Sequence, residues 1–164
     1  MGEVFARTGR LLIRRFRLAD VDVFREYRSD PDVARYQSWD APFPADDAQL
    51  LVAAFDAAPE QAVGWFQYAL ELRATGTLIG DVAINRQGTR AELGFTLARA
   101  YQGRGYATEA VRCLLDRVFG EGIRTVTAEF DPPNRASARL LERVGFRVGE
   151  STGQLTSLEW PGNR

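Results

Sequence analysis

The 164-residue sequence contains no lysine and no histidine, and its only cysteine is Cys113. All 21 basic residues are therefore arginine. The absence of lysine excludes a Walker A phosphate loop and a Schiff-base enzyme, and the absence of histidine excludes a Ser-His-Asp triad. A single cysteine excludes an internal disulfide and a cysteine-rich zinc site. We therefore expect no metal site, and any catalysis has to proceed without lysine or histidine.

The sequence also lacks an excess of one charge, because 22 acidic residues give a net charge of -1. Such a chain has no general attraction for nucleic acid or for an anionic membrane, so neither is an expected partner. The longest apolar stretches, such as residues 11–13 and 52–55, are too short to cross a bilayer, and the N-terminus lacks the pattern of a signal peptide. With 45% hydrophobic residues, we expect one soluble, cytoplasmic domain over residues 1–164.

The spacing of apolar residues predicts a chain that passes repeatedly between strands and helices. Strands are expected at residues 10–17, 65–72, 78–85, 91–97, 125–130, 146–149 and 155–160. Helices are expected from a cap at Asp20 to the residue before Pro31, at 46–58, after Gln102 as far as Phe119, and at 134–144, with an aromatic loop over 32–44. Short turns make the strands between residues 65 and 97 antiparallel, whereas a helical crossover makes strands 91–97 and 125–130 parallel neighbours. The prediction is an α/β (α+β) fold with a mixed, mostly antiparallel sheet.

The loop over residues 102–108 joins a predicted strand to the most strongly amphipathic helix. Gly103 and Gly105 allow the backbone to approach a ligand closely. The free N–H groups and the dipole at the start of the helix favour an anion such as a pyrophosphate, and Arg104 could add a direct charge. Two other interpretations stay open: the glycines only make a tight turn, or the loop belongs to a dinucleotide-binding unit. For the second, Thr108 replaces the expected small residue and several antiparallel strands precede the loop, although the acidic residues Glu129 and Asp131 do appear later.

The last predicted helix begins with two polar residues of interest. Asn134 suits the N-cap position, which is a sufficient structural explanation for it. Ser137 lies on the same helical face as Leu141 and Val144, so its hydroxyl is directed towards the core. The alternative for Ser137 is a hydrogen bond back to a carbonyl one turn earlier.

Together these segments resemble the GNAT family of N-acetyltransferases, and within it the Rim-type branch of ribosomal-protein N-terminal acetyltransferases. The family signature corresponds to Gln102-x-x-Gly105-x-Ala107, preceded by Glu92-Leu93-Gly94-Phe95. The later pattern corresponds to Asn134, Ser137, Leu141, Glu142, Gly145 and Phe146, and the pairs Arg10-Leu11 and Gly80-Asp81 also fit. The resemblance covers nearly the whole chain.

The resemblance implies a GNAT fold whose sheet splays around a coenzyme A site, with flanking helices. It implies acetyl-CoA as co-substrate and direct transfer of the acetyl group to a primary amine in a ternary complex. The acceptor would be a small molecule or a peptide N-terminus, and a homodimer is possible. The implied cofactor-binding residues are Phe95, Thr96, Leu97, Gln102, Gly103, Arg104, Gly105, Tyr106, Ala107, Thr108, Asn134 and Ser137. A backbone N–H within 95–97 would stabilise the oxyanion.

The catalytic residues are harder to transfer from the family. Many members use a tyrosine as the acid, but Leu141 stands at that position, and the Rim-type branch suggests Ser137 instead. We expect Glu92 to be the base, directly or through water, with an ion pair to an arginine as the alternative. Cys113 is expected to be a structural residue.

Tyr36, Trp39 and Phe43 are candidates for the wall of the acceptor pocket, with a core plug as the alternative. The absence of the tyrosine also leaves open an idle acyl-CoA-binding sensor.

Overall fold

The computed structural model describes residues 3–59, 63–148 and 155–159. In these ranges the strands are β1 Val4–Arg7, β2 Leu11–Arg15, β3 Gly64–Leu72, β4 Leu78–Gln87, β5 Arg90–Leu97, β6 Thr125–Glu129, β7 Arg147–Val148 and β8 Leu155–Glu159. The helices are α1 Val21–Arg28, α2 Pro31–Ala34, α3 Ala45–Ala57, α4 Tyr106–Gly120 and α5 Arg135–Val144, with short 3-10 turns at Leu18–Asp20 and Arg99–Tyr101. Every helix in the described parts is too short or too polar to span a bilayer.

The strands form one sheet in the order β1-β2-β3-β4-β5-β6-β8-β7. Strand β5 pairs with β6 in parallel, and the other described neighbours are antiparallel. The predicted mixed sheet with flanking helices is therefore confirmed, including the parallel pair.

Two short elements were not predicted. Strand β1 has only four residues and is held by antiparallel pairing with β2. Helix α2 lies inside the segment that was expected to be a loop, and Asp30 caps it by accepting a hydrogen bond from the Asp32 N–H at 2.9 Å. The predicted ends at Gly149 and Trp160 fall outside the described residues.

Helices cover both faces of the sheet because alternate residues of each strand point to opposite faces. On one face, the apolar stripe of α4 packs on strand residues such as Ile13, Ile84 and Leu93. On the other face, α1 and α3 enclose a second core around Phe16 and Phe24. The sheet is consequently the middle layer of three, and its central strands carry side chains into both cores.

The parallel pair opens along its length. Strand β5 pairs with β6 from Arg90 to Leu93, and the partners on β6 end at Ala128. Strand β5 continues along β4 as far as Leu97, opposite Gly80. Among the described residues, no strand therefore covers one edge of residues 94–97, and this edge faces the start of α4.

Gly80 lies where β4 and β5 approach each other most tightly. A Cβ atom at this position would lie 2.1 Å from the carbonyl oxygen of Thr96 and 3.0 Å from the Cα of Leu97. The adjoining register shift between β3 and β4, after Leu70, marks an irregularity that strengthens the local bend and twist. A side chain at residue 80 would push β5 away at the point where its edge becomes free.

We expect Gly80→Ala to destabilise the protein by about 1–3 kcal/mol, because the added methyl group meets backbone atoms that have no rotamer to escape into. Urea unfolding followed by circular dichroism measures this. The matched control is Gly120→Ala at the end of α4, where the new Cβ has nothing within 4 Å. The control is expected to be neutral or slightly stabilising. Equal unfolding midpoints for the two variants would contradict the steric explanation.

Candidate active site

A cavity of about 490 Å³ lies between the free edge of β5, helix α2, the loop before α4, and helix α5. Eleven of the twelve residues expected to bind the cofactor line it. They are Phe95, Thr96, Leu97, Gln102, Gly103, Gly105, Tyr106, Ala107, Thr108, Asn134 and Ser137. The exception is Arg104, which is exposed and whose carbonyl oxygen accepts a hydrogen bond from Arg10 Nη1 at 2.9 Å. The fold thus brings three segments that are distant in sequence to one cavity.

The loop before α4 offers an unusual run of free backbone donors. Gly103 and Gly105 adopt φ angles of +74° and +82°, a conformation that disfavours most other residues. Among the residues that the structure describes, none of the N–H groups from 103 to 108 donates to an acceptor, whereas the Glu109 N–H closes the first helical bond to the Gly105 oxygen at 3.1 Å. These donors and the positive end of the α4 dipole form a site for an anion. The loop therefore fits a pyrophosphate.

The edge of β5 next to this loop presents two carbonyl oxygens. The Phe95 oxygen accepts from Gln37 Nε2 at 3.5 Å, and the Leu97 oxygen accepts from Gln102 Nε2 at 3.0 Å. Both donors are side chains, so these two carbonyls are available to an extended ligand that replaces one or both glutamines. This edge is of the kind that binds a peptide-like arm by strand addition.

At the start of α5, the side chain of Asn134 caps the helix by accepting a hydrogen bond from the Ser137 N–H at 3.2 Å. The Ser137 hydroxyl lines the cavity and has no hydrogen-bond partner within the described ranges, so the alternative of a bond back to a carbonyl is not observed. Leu141, one turn further, is 1% exposed and belongs to the core. Ser137 is consequently the polar side chain of this face that reaches the cavity.

Glu92 lies on β5 before the strand loses its neighbour, on the opposite face from Leu93 and Phe95. Its register partners are Asn85 on β4 and Thr127 on β6. No arginine forms an ion pair with Glu92 in the described part of the chain, so the structural alternative for this residue is not observed. Partial burial and, to a smaller extent, the negative charge of Glu129 raise the pKa of Glu92 above its ordinary value. A carboxylate with a raised pKa is suited to accept a proton.

The row that contains Glu92 crosses the sheet from Trp65 through Asn85. The Asn85 Oδ1 atom is buried and has no partner within the described ranges, and the Trp65 side chain is 48% exposed. An unpaired buried carbonyl is costly, so this oxygen is an unsatisfied acceptor next to Glu92. The face around Glu92 is thus polar and partly open.

The three aromatic residues of the predicted acceptor wall do not stay together. Tyr36 lines the cavity, whereas Trp39 and Phe43 do not. The Trp39 ring lies 4.0 Å from the guanidinium carbon of Arg28, and Phe43 is buried edge-on against Phe24. The packing of Trp39 and Phe43 matches the core-plug alternative.

Two arginines of α5 also line the cavity and were not predicted from the sequence. Arg139 and Arg143 are one helical turn apart and lie beyond Ser137 on the cavity side. Their four-residue spacing, continued from Arg135, was the signal that could have found them. They supply positive charge near the loop over residues 103–108, called the anion loop below, although the chain as a whole has no basic excess. Within the described residues, no group of three or more Cys, Asp or Glu side chains is placed to hold a metal ion.

A sheet that opens at one parallel pair, with an anion-binding loop leading into the next helix, is the architecture of a CoA-dependent acetyltransferase. The chain belongs to the GNAT acetyltransferase family, whose acetyltransferase (GNAT) domain matches residues 10–147. The alternatives of a dinucleotide-binding protein and of an idle sensor gain no support from this membership.

Similar proteins agree with this assignment. The uncharacterized N-acetyltransferase p20 of Bacillus licheniformis is 30% identical over 145 residues, which are 85% of this chain and 80% of p20. An acetyltransferase structure from Agrobacterium tumefaciens is 26% identical, with a TM-score of 0.78 and coverage of 94% of both chains. The structural neighbours include the Rim-type enzyme RimL, named a ribosomal L7/L12 alpha-N-protein acetyltransferase and solved with coenzyme A. RimL has a TM-score of 0.81 and covers 98% of this chain and 100% of its own, but at 15% identity it shows the fold alone.

We expect Gly103→Asp to weaken the binding of CoA at least tenfold more than Gly103→Asn does, a difference of about 1.4 kcal/mol. Both side chains tolerate a positive φ, and the new Cβ has nothing within 4 Å, so the two variants differ in charge alone. Isothermal titration calorimetry with CoA measures the affinities. Equal affinities would show that no phosphate approaches Gly103.

Proposed function

We propose that this protein is an acetyl-CoA-dependent N-acetyltransferase that transfers the acetyl group directly to a primary amine in a ternary complex in the cytoplasm. The observation that carries the proposal is the run of free N–H groups over residues 103–108, in the same cavity as the uncovered edge of β5. Membership of the GNAT family indicates acetyl-CoA as the donor. The free N–H groups support a binding place for its pyrophosphate, and the uncovered edge of β5 supports one for its pantetheine arm.

The donor's pyrophosphate would bind to the loop N–H groups, with Arg139 and Arg143 contributing charge. Its pantetheine arm would lie along residues 95–97 and hydrogen-bond to the backbone there, as an added strand does. When bound, acetyl-CoA supplies an activated thioester whose carbonyl carbon is open to attack. In this arrangement the thioester lies near the point where β5 and β6 separate.

Two proton transfers accompany the reaction. The amine nitrogen forms a bond to the thioester carbon, the C–S bond breaks, and the amine proton passes to Glu92 directly or through water. The leaving thiolate, whose reference pKa is about 8.5, accepts a hydrogen bond from the Ser137 hydroxyl and is protonated through it, while water returns a proton to Ser137 so that the hydroxyl stays neutral. The free hydroxyl of Ser137 in the cavity and the raised pKa of Glu92 support these roles.

The acceptor in this proposal is a small-molecule amine or the N-terminus of a peptide. The printed name of RimL gives a protein α-amino group as the acceptor of that enzyme, and this makes peptide N-termini the first acceptors to test here. Tyr36 is the aromatic side chain that the proposal places beside the acceptor, because it lies on the cavity wall.

We expect the wild-type protein to release CoA from acetyl-CoA in the presence of an amine, and Ser137→Ala to lower kcat about 100-fold. The Ser137 hydroxyl bonds no described residue, so the urea midpoint should remain unchanged. Thiol release with a panel of peptides, polyamines and aminoglycosides measures turnover. Ser137→Thr, which keeps the hydroxyl, is the control. A wild-type protein that binds CoA but acetylates none of these amines would contradict the enzymatic function.

We expect Glu129→Gln to move the acidic limb of the kcat/KM profile to lower pH. The base works only when ionised, so activity falls as the pH drops through the pKa of Glu92. Removing the negative charge of Glu129 lowers that pKa and extends activity to more acidic solution.

A peptide acceptor with an α-amino pKa of about 8 gives its own limb at higher pH, which Glu129→Gln leaves in place. The exposed Glu142→Gln on α5 is the matched control. In Glu92→Gln the acidic limb should disappear altogether. An unmoved limb in Glu129→Gln would mean that the titrating base is not Glu92.

A further inference from the structure

The turn between β1 and β2 is joined to the first turn of α4 by one carboxylate. Glu109 accepts hydrogen bonds from the Arg10 backbone N–H at 2.9 Å, from Arg10 Nε at 2.8 Å, and from the Thr8 hydroxyl. Burial opposes ionisation of Glu109, but these hydrogen bonds and the charge of Arg10 hold its pKa below the ordinary value. The carboxylate is therefore charged and fully engaged on the side of α4 that faces the β1–β2 turn.

The Arg10 guanidinium continues from Glu109 onto the anion loop. Its Nη1 atom donates to the carbonyl oxygen of Arg104 at 2.9 Å, and its carbon lies 4.2 Å from the centre of the Tyr106 ring. A Cβ atom at Gly105 would lie 3.3 Å from Nη2. One side chain thus contacts Arg104 and Tyr106 and lies beside Gly105 between them. These three residues follow Gly103 and contribute free N–H groups.

The ion pair between Arg10 and Glu109 contributes too little to the free energy of folding to explain this arrangement. The Arg10 side chain is 47% exposed, and ion pairs between exposed groups contribute little to folding. The Arg10 side chain is instead directed at the loop that contains Gly103 and Gly105. Glycine has more backbone freedom than any other residue, so such a loop easily leaves a bound conformation. A loop that is held in place before binding loses less entropy when its ligand arrives.

We propose that Arg10 is a positioning residue that holds the backbone of residues 104–106 in its anion-binding conformation, with Glu109 and Thr8 as its anchor. The ligand of the loop rests on the proposed function, whereas the contacts of Arg10 do not. Arg10 acts on the pyrophosphate half of the donor only, because it touches neither the edge of β5 nor the start of α5.

The chain offers a matched control for this proposal. Arg73 is exposed and donates from Nη1 to the carbonyl oxygens of Thr8 and Gly9 at 2.8 and 3.2 Å. It therefore binds the same β1–β2 turn as Arg10 but does not contact the loop. Arg73→Ala removes one arginine from the turn and leaves the contacts of Arg10 with residues 104–106 in place.

The test compares CoA with S-acetylpantetheine, a donor that lacks the pyrophosphate. Arg10→Ala is expected to raise the Kd for CoA about tenfold, to raise the inhibition constant of inorganic pyrophosphate against CoA by a similar factor, and to leave kcat/KM for S-acetylpantetheine at the wild-type value. Arg73→Ala should leave all three unchanged. Arg10→Lys keeps the charge but lacks the planar fork and the stacking on Tyr106, so it should behave like Arg10→Ala.

Three outcomes would overturn the proposal. Unchanged CoA affinity in Arg10→Ala would show that the loop needs no support. Full affinity in Arg10→Lys would show that Arg10 acts through its charge, and equal losses with CoA and S-acetylpantetheine would indicate a general defect of the fold. Failure of the wild-type protein to bind CoA at all would instead count against the proposed function, so the two failures are distinguishable.

Discussion

The separation of β5 from β6 after Leu93 and Ala128 is the constraint on which the rest of the site depends. A strand that leaves its neighbour exposes backbone groups that need other partners, and here side chains and a cavity take the place of the missing strand. Strand β4 keeps β5 in position through this region, which is possible only because residue 80 has no side chain. On the far side of β4, buried Asp81 accepts from the Tyr27 hydroxyl and so ties α1 to the same point. At the opening, β5 is therefore held by β4 along one edge, and its other edge is not paired with a strand in the described parts of the chain.

The site combines a backbone surface with few side chains. The anion loop and the edge of β5 offer N–H and C=O groups, whose positions are set by the fold and not by rotamers. The short side chain of Ser137 lines the same cavity, whereas Glu92 lies on β5 outside its lining. Arg139 and Arg143 on α5 add positive charge to the cavity lining, although the chain as a whole has a net charge of -1.

Arginine has structural roles in this protein that its abundance alone does not reveal. Arg28 is 4% exposed and lies 4.0 Å from the Trp39 ring centre, within 3.5 Å of Asp81. The planar guanidinium allows stacking and hydrogen bonding together, which an ammonium group does not. Trp39 and Phe43 pack in this cluster and therefore do not line the cavity, whereas Tyr36 does. The composition gives the number of arginines. Only the packing shows which of them lie in the core, which contact the loop and which line the cavity.

The sequence by itself determined the elements whose signals are local. The 3.6-residue period of α4, the glycines before it, the cap at Asn134 and the parallel relation of β5 to β6 all follow from short-range patterns and chain connectivity. Only the tertiary structure decided that Glu92 has Asn85 and Thr127 as neighbours and no ion pair with a described arginine, that Arg10 contacts the loop some 95 positions away, and that α2 forms a wall of the cavity. Each of these depends on side chains that are distant in sequence. Local propensity does not indicate which distant residues the sheet and its two cores bring into contact.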